Sequence, residues 1–160
     1  MLNQKNRAGD SMPKILPILF ISIALTFNCT TYIDLKSTFS NLDGKIELHT
    51  NISKNIPYTQ TIPNGNSYIL STSLKNIEIL LTNVDANNIK GCTIFINSND
   101  INYILSQLGL QYFQSNNKEI LGYSSLVPWQ TELDGNIFNT HIILNKNQIV
   151  IGFPLILGSC

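Results

Sequence analysis

A chain of 160 residues is long enough for one domain with a modest core. Its hydrophobic fraction of 43% and charged fraction of only 12% exclude a disordered chain, which would be highly charged and poor in Ile, Leu and aromatics. From Cys29 onward seven Lys stand against nine Asp and Glu, with no Arg and no cluster of either sign, which argues against nucleic-acid binding and against a polybasic contact with anionic lipid.

The chain opens on an export signal. Ile15–Phe27 is an uninterrupted run of 13 residues without a charge, preceded directly by Lys14 and further upstream by Lys5 and Arg7. That order of basic and apolar segments predicts a cleavable signal over residues 1–28. A membrane-spanning helix would need roughly 20 apolar residues. Met12 offers a second start, because Met12-Pro13-Lys14 ahead of the run is a complete short signal. Residues 29–160 are then a single exported domain.

The end of the signal carries a resemblance. Leu25-Thr26-Phe27-Asn28-Cys29 resembles the lipobox of bacterial lipoprotein precursors. It is nearer the relaxed spirochaete form than the strict enterobacterial one, with Leu25 one place upstream and Phe27 and Asn28 in place of small residues. The resemblance covers this segment alone. It implies lipid on Cys29, which would become the mature N-terminus and hold the protein to a membrane. Ordinary cleavage, with Ala24 and Thr26 at the cut, would instead leave a freely secreted protein.

Cys92 and Cys160 remain once Cys29 is lipidated or removed. Outside the cytosol they can oxidise to a disulfide, and that loop would restrict the unfolded chain by roughly 4 kcal/mol. Cys92, opening the apolar run CTIFI, reads equally well as a buried thiol.

Turn signals divide the domain into short segments. After Asp43-Gly44, the residues Ile46, Leu48, Thr50 and Ile52 alternate with polar ones, which predicts a half-buried strand. Ile56-Pro57 and Ile62-Pro63-Asn64-Gly65 mark extended chain and a turn, and Ser67–Ser71 a short strand. A helix is expected over Ser73–Val84, with Thr72 or Ser73 as N-cap. Cys92–Asn97 reads as a central strand. A second helix carries Ile101, Ile104, Leu105 and Leu108, capped by Asp100 or Asn99 and ended by Gly109. Leu110–Gln114 and Glu119–Leu126 form a hairpin, and Ile137–Leu144 and Gln148–Leu157 an antiparallel pair. Gly152 and Pro154 interrupt the last run, which suits an edge strand or a bulge.

The expected fold class is therefore α+β and β-rich: an antiparallel sheet with a C-terminal meander and one or two packed helices. Asp43-Gly44 and Asp134-Gly135 are each followed by a His, His49 and His141. The offsets differ by one residue, which in strands sends the two His to opposite faces relative to the turn. Shared turn chemistry explains the echo without a duplicated half.

Chemistry-bearing motifs are scarce. There is no H-E-x-x-H, C-x-x-C, nucleophile elbow or phosphate loop, so the sequence predicts no metal and no cofactor. A Cys92–His141–Asp134 constellation for a small cysteine hydrolase can be written down, yet nothing nearby would activate a thiol in an apolar run. Val127-Pro128-Trp129-Gln130 presents the sole Trp, Trp129, either as an exposed contact or as a cover for the sheet end. The leading expectation is a non-enzymatic envelope or surface lipoprotein that acts through binding or structural contacts. A freely secreted binding or effector protein is the alternative, and a cysteine hydrolase a more distant one.

Overall fold

The computed structural model of the protein describes residues 35–154 except Asn117 and Asp134. The signal segment, Cys29 and Cys160 lie outside the described residues. Among the described residues ten strands and three helices follow one another as α1 (35–39), β1 (Gly44–Thr50), β2 (Gln60–Asn64), β3 (Ser67–Ser73), α2 (Ile77–Asn83), β4 (Ile89–Ile96), α3 (Ile101–Leu108), β5 (Tyr112–Ser115), β6 (Glu119–Tyr123), β7 (Thr131–Leu133), β8 (Asn136–Phe138), β9 (Thr140–Asn145) and β10 (Gln148–Phe153). Eight strands form one antiparallel sheet in the order β2-β3-β1-β4-β10-β9-β6-β5, while β7 and β8 pair separately. The class is α+β with a dominant antiparallel sheet, as the alternation and turn signals imply.

Local chemistry accounts for the helices. The Ser73 side chain accepts the Lys75 N–H and starts a 3-10 turn, Leu74–Asn76, that runs into α2. Asp100 accepts the Tyr103 N–H at 3.0 Å to start α3, and Gly109 at φ +54 ends it in the left-handed conformation. Each helix turns its apolar stripe to the same side of the sheet. Leu35 and Phe39, Ile77 and Leu80, and Ile104 and Leu108 share one core cluster with Ile46, Leu48, Leu70, Ile94, Ile96, Ile120, Ile142, Ile149, Ile151 and Phe153.

Register explains why those strand residues act together. Leu48 pairs with Leu70 on one side and Cys92 on the other, and Ile94 pairs with Ile46 and Ile151. Residues directly opposite each other in antiparallel strands point to the same face, so the period-two pattern of each strand adds to one continuous apolar surface.

Two expectations are corrected. The last strand is not an edge: β10 lies between β4 and β9. Pro154 falls just past its final residue and so removes no ladder donor, and Val150 is buried on the face opposite Ile149 and Ile151. An apolar run on both faces is what a central strand needs. The run expected as Ile137–Leu144 is broken at Asn139, where β8 turns to pair with β7 before β9 begins.

Gly44 opens β1 at φ +156, and a Cβ there would sit 2.0 Å from the Phe95 carbonyl oxygen. Only a residue without a side chain lets β1 approach β4 at this corner. Replacing Gly44 by Ala should cost about 2–4 kcal/mol. Urea unfolding should show the midpoint falling at unchanged slope; an unaltered midpoint would mean the contact imposes no constraint.

Candidate functional site

The face of the sheet away from the core is the open face. Among the described residues, no helix packs on it, and none of its strand residues belongs to the core cluster. The register sets out its rows. One row runs Glu47, Thr93, Gly152, His141, Leu121 and Gln114 across β1, β4, β10, β9, β6 and β5. A second runs Lys45, Phe95, Val150, Ile143 and Glu119. His49 stands two residues beyond Glu47, beside Gly91.

Both His therefore lie on the same face, contrary to the offset argument. The break at Asn139 is the reason. It separates the Asp134-Gly135 turn from β9, so residue parity counted from that turn does not carry through to His141.

Each His has an acidic neighbour. His141 Nε2 is 2.7 Å from Glu119 Oε1, a diagonal contact between β9 and β6. Glu47 lies near His49 but is held by Lys45 at 2.6 Å, and the Lys45 ammonium also sits 4.3 Å over the Phe95 ring. His49 and Thr93 are only 5% and 1% exposed, and they share a single long hydrogen bond of 3.4 Å between Nε2 and Oγ1. The other ring nitrogen of His49 has no hydrogen-bond partner among the described residues. Burial pulls the His49 pKa down, and the Glu47 charge opposes this only partly.

A Thr nucleophile with a His base needs a third group to orient the ring, and the nearby carboxylate, Glu47, is engaged by Lys45 instead. Toward the β5 end the face opens into a cleft of about 210 Å³ lined by Gln114, Ser115, Asn116, Glu119 and Leu121. At the middle of the central row Gly152 and Thr93 are buried, as is Gly91 on β4. No group of three or more metal-binding side chains assembles among the described residues.

The residues singled out from sequence fall elsewhere. Cys92 is a free thiol, fully buried on the core face, and burial pushes its pKa strongly up. It therefore points away from His141, and the Cys92–His141 part of the hydrolase constellation is not brought together; Asp134 lies outside the described residues. The other half of the disulfide reading, Cys160, lies outside them too, as does the lipidation candidate Cys29. Trp129 is half-buried and packs against the core. Tyr58 is the aromatic that projects, 77% exposed, at φ +61 in a left-handed conformation rare for a bulky side chain.

One buried polar cluster is fully bonded by contrast. The Asn139 amide accepts from the Ser124 N–H at 2.7 Å and donates to the Ser124 and Val127 carbonyls at 2.6 and 3.1 Å. It ties the loop after β6 to the start of β9 and reads as structural. Compared with known proteins, the chain matches no family model, and no curated protein or solved structure shows significant similarity to it.

Two predictions follow from the contrast between His49 and Asn139. The folded-state pKa of His49 is lowered, so between that pKa and about 6.5 the unfolded chain binds more protons and stability rises with pH. Its contribution is present above about 6.5 and lost as the pH falls through this window. His49→Gln should flatten the loss of thermal stability between about pH 7 and pH 5; an unchanged slope would assign the loss to other groups. Asn139→Ala strands one N–H and two carbonyls and should cost about 3 kcal/mol. Hydrogen exchange should rise first over Ser124–Val127, whereas uniform exchange across the sheet would show that the tether is not local.

Proposed function

We propose that this chain is an exported, membrane-anchored binding protein, held by lipid on Cys29 and acting through the open face of its sheet. The observation that carries the binding half is the state of His49 and Thr93. Buried polar groups are normally bonded, yet these two are nearly inaccessible and share one long bond on the face where, among the described residues, no helix packs. Leaving such groups under-bonded costs stability, and a surface that retains them has a use for them. The anchoring half rests on the charge-free run Ile15–Phe27, its basic flank and the lipobox-like Leu25–Cys29.

Metabolic labelling with a tagged fatty acid tests the anchor. The wild-type protein should take the label and partition into detergent, and Cys29→Ser should abolish labelling and release most of the protein, since stable anchoring depends on the acyl chains. A soluble, unlabelled wild-type protein in the medium would favour the freely secreted form. A Cys29→Ser protein that stays on the membrane would overturn lipid as the anchor.

A further inference from the structure

We propose that Tyr58 anchors a second contact surface, its ring held out by a fastened loop to enter an apolar pocket on a partner protein. The loop meets the core side of the sheet, so this inference goes beyond the open-face reading and does not depend on it.

The backbone supplies the first observation. The Thr59 N–H donates to the Ile56 carbonyl at 3.1 Å, which closes a turn over Ile56-Pro57-Tyr58-Thr59. The proline ring sets φ at about −65° in the second position, and Tyr58 has φ +61 in the third. That combination makes a type II turn, whose third position ordinarily falls to Gly or Asn. A bulky side chain there strains the backbone. Among the described residues Tyr58 is the one non-glycine at positive φ, although Asn51 and Asn55 stand in the same loop. It is also the most exposed large apolar side chain among them, at 77%, so the ring returns little packing to the fold. Strain retained without a packing benefit points to a use outside the fold.

The loop that presents the ring is fastened along its length. The Asn51 N–H donates to the Asn88 carbonyl at 3.3 Å, the Thr61 hydroxyl to the Lys54 carbonyl at 2.9 Å and the Thr72 hydroxyl to the Tyr58 carbonyl at 2.7 Å. Ile56, two residues before Tyr58, is buried in the core cluster. Thr72 pairs with the core residue Ile46, which sets this end of the loop on the core side. A Tyr mounted in this way has little freedom to lose on binding, which is what makes a rigid aromatic an effective anchor.

Shape and charge select the partner. Small ligands bind in concavities, whereas this ring projects, so the pocket that it fills belongs to a macromolecule. Lys54 is the only charged residue from Asn51 to Gln60, and its ammonium is held by the Asn83 carbonyl. The loop therefore offers no free cation to a nucleic acid or to an anionic lipid surface. Its exposed neighbours Ser53, Asn55, Pro57 and Gln60 are uncharged. A Tyr ringed by hydroxyls and amides has the make-up of a protein-binding paratope.

The test places the photo-crosslinker p-benzoylphenylalanine at position 58 of the full chain, in the cells that make it. Irradiation should give one discrete protein adduct, absent when the crosslinker replaces Tyr103 instead. With that partner identified and purified, Tyr58→Asn should weaken its binding by about tenfold or more, and Tyr103→Asn should leave it unchanged. Because Asn tolerates the left-handed conformation, the melting temperature of Tyr58→Asn should equal that of the wild type or exceed it by a few degrees. A lower melting temperature would make the ring a structural element and overturn the assignment. So would the absence of a protein adduct from position 58, adducts with lipid or glycan alone, or an affinity indifferent to Tyr58→Asn.

Discussion

The pairing of β10 with β4 is the contact on which the rest of the molecule depends. It joins β2-β3-β1-β4, drawn from residues 44–96, to β10-β9-β6-β5, drawn from residues 112–153. Five residue pairs, from Ile149 with Ile96 to Phe153 with Cys92, make the seam. Without it there would be two four-stranded sheets, each with a bare edge and half a core. With it, Ile94, Ile96, Ile149 and Ile151 become the middle of one apolar face, covered by all three helices. Such non-local pairings form late, because their loop closure must be met before the contacts reward it.

The same seam makes the open face a single surface. The first half supplies Lys45, Glu47, His49 and Thr93, and the second supplies Glu119, Leu121 and His141. Gly152 lies on the seam itself, between Thr93 and His141. The core cluster lies on one side, and the other mixes Lys45, Glu47, Thr93 and His141 with the apolar Phe95, Val150 and Ile143. His49, Thr93 and Val150 are buried at central positions on this face, on which no helix packs among the described residues.

Two kinds of buried polar group sit in one fold. Asn139 has a partner for each bonding direction it uses, and so fixes a loop that would otherwise swing free of the sheet. His49 and Thr93 are as deeply placed and far less well bonded. In a low-dielectric setting an incomplete polar pair costs more than an apolar replacement would, and this difference separates the structural cluster from the surface read as functional. Tyr58 adds a projecting aromatic near the β2 end, its carbonyl fastened by the Thr72 hydroxyl at 2.7 Å.

The sequence by itself determined what depends on neighbours along the chain. The alternation Ile46, Leu48, Thr50 placed β1 and its core face; Asp100 and Gly109 bounded α3; and Asn64-Gly65 and Lys146-Asn147 marked turns. These signals are local because caps, turns and period-two burial each involve only a few adjacent residues. Tertiary structure alone decided which strands became neighbours. Gly152 and Pro154 pointed to an edge, yet β10 is central because its apolar residues lie on both sides and the proline comes after the ladder. His49 and His141 counted to opposite sides, yet share one because the chain leaves the strand path at Asn139. Cys92 could be read as a nucleophile or a core thiol until register put it beside Leu48 and Phe153, facing away from both His. A face is a property of pairing, and pairing joins residues far apart in the chain, so no window along the sequence contains it.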